Sequence, residues 1–326
     1  MNVLIVSYGS IGKRHARILS ENFKNLRIGI FRNSSCKDLE DFECFNKIED
    51  AILFNPKLVI ICSPASFHKE MVLKFSPLNA DFLIEKPLSD SIKNAKEILS
   101  SISQNSSKYH VGYNLRFSES LLAFRNLIRE KVAGEIYSIS CSVGQNLEDW
   151  RDAVDYRYSV SAKRNLGGGV LRELSHEIDY LGWLFGGFTW VLADVRKTSY
   201  LDVDVEDMAN VIFAINSEEY GEINGTLNLD FFRRDSKRLC EVVGERGTLL
   251  WDGVLNQVNF FCKDEKSWRV LYSEKTDRDH TYLEQFKSIF EQKFDNLCNI
   301  DDAIKTLEVI EAVEDSNMKG VKVHIS

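Results

Sequence analysis

Several things are scarce in this 326-residue chain, and each scarcity closes off a class of protein. Only 4 prolines and 18 glycines leave no place for a collagen-like or proline-rich segment. No apolar run approaches the roughly 18 residues that a membrane-spanning helix needs. Lysine and arginine number 41 against 49 aspartates and glutamates, a net charge of −8. That balance offers no concentrated basic face for nucleic acid or an anionic membrane. The seven cysteines, at 36, 44, 62, 141, 240, 262 and 298, are odd in number, widely scattered and without a C-x-x-C pair. Such usage fits a reducing cytoplasm and speaks against a zinc ribbon or a disulfide framework. Neither the cysteines nor His15, His68, His110, His280 and His324 fall at metal-ligand spacing, so no metal is expected. A Walker loop and a serine nucleophile elbow are also missing.

What remains is an ordinary globular composition, 44% hydrophobic and 28% charged, long enough at about 150 residues per domain for two cores. The chain starts apolar (Met-Asn-Val-Leu-Ile-Val), and its basic cluster Lys13, Arg14 and Arg17 follows that run. A signal peptide has the reverse order, so the start reads as a first strand of a cytoplasmic protein. Up to about residue 112, short apolar runs at 3–7, 26–31, 58–62, 82–84 and 109–111 alternate with helical stretches. That alternation predicts βαβ units around a parallel sheet. Beyond Gly112 a helix over about 117–131 and a strand over 135–143 precede a loop rich in Trp, Asp, Tyr and Arg. A long helix at 168–185, seven strands between 190 and 273, and helices at 280–295 and 300–316 complete the chain. The expected fold class is α/β plus α+β. A doubly wound Rossmann domain occupies 1–115, and 116–326 forms a large, mostly antiparallel, open-faced sheet with helices on one side.

The first strand runs into Ser7-Tyr8-Gly9-Ser10-Ile11-Gly12, which matches G-x-G-x-x-G with Ser in place of the first Gly. Gly9 would let the backbone approach a pyrophosphate, Gly12 would let the helix pack on the strand, and N–H groups at Ser10 and Ile11 open the helix. About 20 residues on, where an acidic side chain would hold the ribose hydroxyls of NAD, stands Arg32, followed by Ser34 and Ser35. Arginine with hydroxyls suits a 2′-phosphate, so NADP(H) is the preferred cofactor and NAD(H) the alternative. A solvated arginine in a polar loop would look the same.

Four further motifs share one resemblance. Ser63-Pro64-Ala65-Ser66-Phe67-His68 follows the third strand, Glu85-Lys86-Pro87 the fourth, and Gly112-Tyr113-Asn114-Leu115-Arg116-Phe117 the fifth. Gly167-Gly168-Gly169 then leads into Val170-Leu171-Arg172-Glu173-Leu174-Ser175-His176-Glu177-Ile178-Asp179. In this order the motifs resemble the glucose-fructose oxidoreductase, inositol dehydrogenase and MocA-type oxidoreductases. The resemblance implies a hydride transfer between nicotinamide and a sugar carbon, with His176 taking the hydroxyl proton and Lys86 hydrogen-bonding the same oxygen. It also implies cofactor contacts from Ser63, Pro64, His68, Glu85 and Asn114. Many members carry Asp four residues before the histidine. Here that position is Arg172, and an acid, Glu173, stands three before. A sub-group with a D-W-R…D-Y-R loop is closer, matched by Asp149-Trp150-Arg151 and Asp155-Tyr156-Arg157.

At 100° per residue, Leu171, Leu174, Ile178, Leu181 and Phe185 form one stripe of the 168–185 helix. His176 points almost opposite, flanked by Arg172, Glu173, Asp179, Tyr180 and Trp183, a face suited to lining a cleft. Trp150, Tyr156 and Arg157 in the preceding loop suit stacking and anion contact with a sugar or a nucleotide-linked sugar, or else mere packing. The catalytic set that the resemblance implies is Lys86, His176 and Glu173. Substrate contacts are expected from Trp150, Tyr156, Arg157, Arg172, Asp179 and Tyr180. Two alternatives stay open: a catalytically silent dinucleotide-binding regulator, and a reductase of a non-sugar carbonyl or imine. The second sheet's other face, read as alternating Val, Phe, Ile and Leu, needs cover, which predicts a homodimer or homotetramer formed sheet to sheet.

Overall fold

The computed structural model describes residues 1–34, 39, 41–103, 106–150 and 155–325. Ser35 and Arg151, both singled out above, lie outside them. The chain divides into two compact units, Met1–Asn114 with Asp279–Ile304 and Leu115–Arg278 with Lys305–Ser326.

In the first unit, β1 (Asn2–Val6), α1 (Ser10–Asn22), β2 (Arg27–Phe31), β3 (Glu43–Phe45) and α2 (Ile48–Leu53) come first. They are followed by β4 (Leu58–Ile61), α3 (His68–Phe75), β5 (Asp81–Ile84), α4 (Ile92–Ile102) and β6 (Tyr109–Val111). Val3–Val6, Leu58–Ile61 and Phe82–Ile84 are almost wholly buried, as unbroken apolar strands covered on both faces must be. Helix α1 sets Ala16, Ile18 and Leu19 into the core. Ser91 caps α4, its Oγ accepting from the Asn94 N–H.

The second unit opens with α5 (Glu119–Arg129) and β7 (Ile136–Gly144). After a loop come two short helices, α6 (Val170–Glu173) and α7 (His176–Phe185). Seven strands follow: β8 (Gly187–Arg196), β9 (Met208–Ser217), β10 (Gly221–Asp230), β11 (Lys237–Gly244), β12 (Gly247–Asp252), β13 (Gln257–Cys262) and β14 (Ser267–Ser273). The chain then returns to the first unit with α8 (His280–Phe290) and β15 (Cys298–Asn299). Helix α9 (Ile300–Lys319) carries it into the second unit, which ends in β16 (Val323–His324).

The first sheet has the order β15-β6-β5-β4-β1-β2-β3 and is parallel except for β15 against β6. Strand order reverses between β1 and β4, the place where open α/β sheets bind ligands beyond the carboxyl ends of their strands. The second sheet runs β14-β13-β12-β11-β7-β10-β9-β8-β16, antiparallel but for β7 beside β10. One face packs inward through Ile139, Cys141, Val143, Phe213 and Leu227. At its centre the other face carries Ser138, Ser140, Asn210, Asn224, Thr226 and Asn228, all exposed. This corrects the expected apolar lattice. Exposed apolar groups on this face are few among the described residues: Ile212 beside Thr226, its neighbour Leu192, and Trp268 and Val270 on β14.

Two other expectations change. The 168–185 helix is broken, because Leu174 (φ −99°, ψ 26°) leaves helical geometry between α6 and α7. Cys44 is disulfide-bonded, while Cys62, Cys141, Cys240, Cys262 and Cys298 are in no disulfide. The scattered-thiol expectation therefore does not hold at Cys44. No helix among the described residues is long and apolar enough to cross a membrane. No group of three or more His, Cys, Asp or Glu among them is arranged to hold a metal ion.

Candidate active site

Each motif of the first unit follows the carboxyl end of a parallel strand, so β1, β4, β5 and β6 deliver Gly9, Ser63, Lys86 and Asn114 to one edge of the sheet. After β1 the chain turns through Ser7 at φ +77°, in the left-handed region that glycine occupies without strain. The serine at the first fingerprint position thus keeps the glycine-like turn. Gly9 caps α1 with no side-chain hydrogen bond, and no acidic residue stands in the first turn. The early N–H groups of Ser10 and Ile11 face no competing carboxylate of their own helix. A Cβ built on Gly9 would meet nothing within 4 Å, whereas one on Gly12 would overlap the Ser7 carbonyl. One glycine leaves open space and the other permits close packing. Ser63 and Ser66 each carry a buried Oγ with no partner in the structure. An open glycine flank, an uncapped helix N-terminus and orphaned hydroxyls fit the phosphates and ribose of a dinucleotide.

Arg32 is half-buried just past β2, its N–H on the Phe45 carbonyl at 3.0 Å, and Ser34 is exposed. Pro64 starts the 3₁₀ turn Ala65–Phe67 that leads into α3. His68 is 1% exposed, with Nε2 2.7 Å from the Ser63 carbonyl and Nδ1 3.0 Å from that of Pro87. Burial lowers its pKa against the pull of those carbonyls. This corrects its placement among cofactor contacts, since His68 clamps the Ser63-Pro64 turn to the Glu85-Lys86-Pro87 turn. Glu85 is likewise spent inside the protein. Its Oε1 lies 2.6 Å from His15 Nε2, and its Oε2 accepts the Lys86 N–H at 3.2 Å. Burial alone would raise the Glu85 carboxyl, but His15 and then Lys86 hold it below the ordinary carboxylate value. Lys86 is half-buried at the head of this turn. Asn114 is buried, and its amide donates to Thr281 Oγ1 at 2.7 Å.

In the second unit, three glycines shape the entry to α6. Gly167 and Gly169 take φ +83° and +114°, and a Cβ on Gly168 would overlap the Val160 carbonyl. Beside Gly169 sits Glu206, whose carboxylate accepts the Leu171 N–H at 3.4 Å and whose carboxyl is raised by burial. Arg172 forms a two-pronged pair with Glu314 at 2.6 and 3.3 Å. Glu173 and His176, the latter opening α7, are half-buried.

Helix α7 buries Glu177, Ile178, Asp179, Tyr180 and Leu181 in succession, so it is covered nearly all round rather than along one stripe. Asp179 is held by Arg116 at 2.7 and 2.9 Å with both side chains almost fully buried. Tyr180 is 0% exposed, its hydroxyl 2.9 Å from Cys141 Sγ and its ring edge-on to Trp251. Asp179 and Tyr180 therefore leave the expected substrate set: internal partners met their polar groups on a face that the wheel assigned to a cleft. Trp183 packs under Arg125, whose guanidinium carbon lies 3.8 Å from the ring centroid.

The loop residues are committed as well. Arg157 pairs with Asp155 at 2.6 Å, the Tyr156 hydroxyl accepts the Asp202 N–H at 3.0 Å, and Trp150 donates to the Gln145 carbonyl at 3.2 Å. Sequence reasoning overlooked His15, Arg116 and Glu206. His15 lay three residues beyond the glycine fingerprint and was weighed only as a metal ligand, while Arg116 stood inside the Gly112–Phe117 motif. The third sits in an acidic stretch, Asp204-Val205-Glu206-Asp207, with no periodic signal.

Comparison with known proteins identifies the family and the fold. Residues 1–113 match the model of an oxidoreductase family with an NAD-binding Rossmann fold, and residues 121–250 match the GFO/IDH/MocA C-terminal domain. Inositol 2-dehydrogenase of Rhizobium meliloti is 25% identical over 56% of this chain and 54% of its own length. Glucose-6-phosphate 3-dehydrogenase of Bacillus subtilis is 25% identical over 74% of this chain and 69% of its own. The chain thus spans about half of the first relative and about two thirds of the second. Levoglucosan dehydrogenase in complex with NADH superposes with a TM-score of 0.85 at 18% identity, covering 100% of this chain and 99% of that one, which shows a common fold.

Proposed function

This chain belongs to the GFO/IDH/MocA oxidoreductase family, and on that premise we propose that it transfers a hydride between a nicotinamide cofactor and a carbon of a sugar, sugar derivative or cyclic polyol. The observation that carries the reading is the uncapped N-terminus of α1 beside the open flank of Gly9, at the sheet edge that also presents Lys86. When bound, the nicotinamide ring supplies the hydride donor or acceptor. Backbone N–H groups from Gly9 to Gly12 hold the pyrophosphate, and Ser63 and Pro64 border the cofactor. Arg32 and Ser34 hold a 2′-phosphate, which makes NADP(H) the preferred form. Lys86 donates a hydrogen bond to the substrate hydroxyl oxygen as negative charge grows there. His176 exchanges that hydroxyl's proton, a task within reach of an imidazole near neutral pH. Glu173 is the acidic neighbour of His176 in the motif, and Trp150 and Tyr156 offer stacking surface to a sugar ring. Arg157 and Arg172 already hold Asp155 and Glu314, so an anionic substrate group would have to compete with those carboxylates.

The second sheet's open face, polar but carrying exposed Leu192, Ile212, Trp268 and Val270, is proposed as the contact of a homodimer or homotetramer, to be checked by light scattering at micromolar concentration. A monomeric mass would remove that contact. The function is tested by following nicotinamide absorbance with NADP(H) or NAD(H) against myo-inositol, glucose 6-phosphate, levoglucosan and a wider sugar and polyol panel. Turnover that Lys86→Ala and His176→Ala abolish supports the proposal. Tight cofactor binding without hydride exchange on any compound would instead favour a silent regulator.

A further inference from the structure

The His15–Glu85 contact has no place in the scheme above, yet it joins two pieces of that scheme. His15 sits three residues beyond Gly12, on the helix whose first turn faces the phosphates. It is 0% exposed, with its ring edge-on to Tyr282 and Phe286 at 5.5 and 5.3 Å. Its Nε2 meets Glu85 Oε1 at 2.6 Å, across 70 residues of sequence. The other carboxylate oxygen accepts the Lys86 N–H, and a Cβ at Gly112 would stand only 3.0 Å from that oxygen. Helix α1, the end of β5 and the start of the segment after β6 therefore close around one carboxylate. A buried ionisable pair is weak evidence for stability, because an apolar pair of similar volume often packs as well. What this pair adds is direction, since it fixes the carboxylate that fixes the Lys86 backbone.

We propose that His15 is a positioning residue, acting through Glu85 to hold Lys86 in place and coupling the phosphate-facing helix to the lysine. The catalytic consequence rests on the role given to Lys86 above; the positioning does not. His15→Phe keeps the aromatic packing against Tyr282 and Phe286 but deletes the hydrogen bond. His15→Gln keeps an N–H donor.

The first readout is amide hydrogen exchange in the cofactor-free chain. In His15→Phe the Lys86 amide should exchange about tenfold faster or more, while the amide of Leu83 within β5 stays protected, and His15→Gln should restore most of the protection. The second readout separates turnover from binding. With the panel compound that reacts fastest, kcat of His15→Phe should fall about 10- to 100-fold, while the Kd for NADPH, measured by calorimetry, stays within about threefold. Unchanged Lys86 exchange in His15→Phe would overturn the proposal. So would exchange that rises equally at Leu83 and is not rescued by Gln, the pattern of a purely structural residue. If Lys86→Ala keeps wild-type turnover while Lys86 exchange still follows residue 15, the catalytic reading fails and the positioning stands.

Discussion

The two units differ in what surrounds their motif residues, although both satisfy many of them internally, as His68 and Glu85 show in the first. At the sheet edge of the first unit, groups are left with something still to bind: an uncapped helix N-terminus, an open glycine flank and the orphaned hydroxyls of Ser63 and Ser66. In the second unit the charged residues of the motifs already hold counter-ions, some buried and some at the surface. Asp179 holds Arg116, Arg172 holds Glu314, Arg157 holds Asp155, and Glu177 accepts from Arg238 at 2.8 Å. A charged side chain in a motif is thus a poor guide to ligand contact when the same fold buries its counter-ion. An unsatisfied donor is a better one.

The sharpest way to break this contrast is to remove one group from each side. Lys86→Ala and His176→Ala are each expected to lower kcat by about a thousandfold, with the Kd for NADPH within about threefold, as steady-state rates and calorimetry would show. A second test addresses the claim that Asp179 is an anchor. Arg116→Ala strands a buried carboxylate and should lower stability by about 3–5 kcal/mol in denaturant unfolding. A loss below about 1 kcal/mol would return Asp179 to the candidate substrate contacts.

The first unit has its own buried ionisable group. His110 stacks on Phe294, and burial pushes its pKa down to about 4, with Asp81 pulling up and Lys108 pushing down. The unfolded imidazole, near 6.5, binds its proton first. His110 should therefore cost nothing above about pH 6.5 and destabilise by about 3 kcal/mol as pH falls to about 4. His110→Phe should flatten that part of the stability profile in acid unfolding.

Smaller effects sharpen the same division. Arg32→Asp should shift the NADP-to-NAD preference by about tenfold or more, and an unchanged ratio would dismiss Arg32 from cofactor choice. Arg157→Ala should leave the denaturant midpoint of unfolding unchanged, because its pair with Asp155 is exposed and screened.

Much of the fold was legible because buried parallel strands are written as unbroken apolar runs and hairpins as alternation with Gly-rich turns. Strands such as Leu58–Ile61 and Gln257–Cys262 fall where those patterns stand. β3 was missed, as three residues with no apolar run cannot announce a strand. The single-helix reading of 168–185 failed for another reason: nothing in Leu174-Ser175 signals a break, yet Leu174 leaves helical φ/ψ there. The cofactor motifs could be read because glycine and helix-start positions are local requirements. Tyr180 could not, since its fate depends on Cys141 and Trp251, distant in sequence and adjacent only once the sheet forms.

Uptake of a dinucleotide by the first unit is the most direct test. Calorimetric titration of the chain with NADPH, and separately with NADH, should give one saturable site per chain with NADPH bound more tightly. Absence of saturable binding of either cofactor would contradict it.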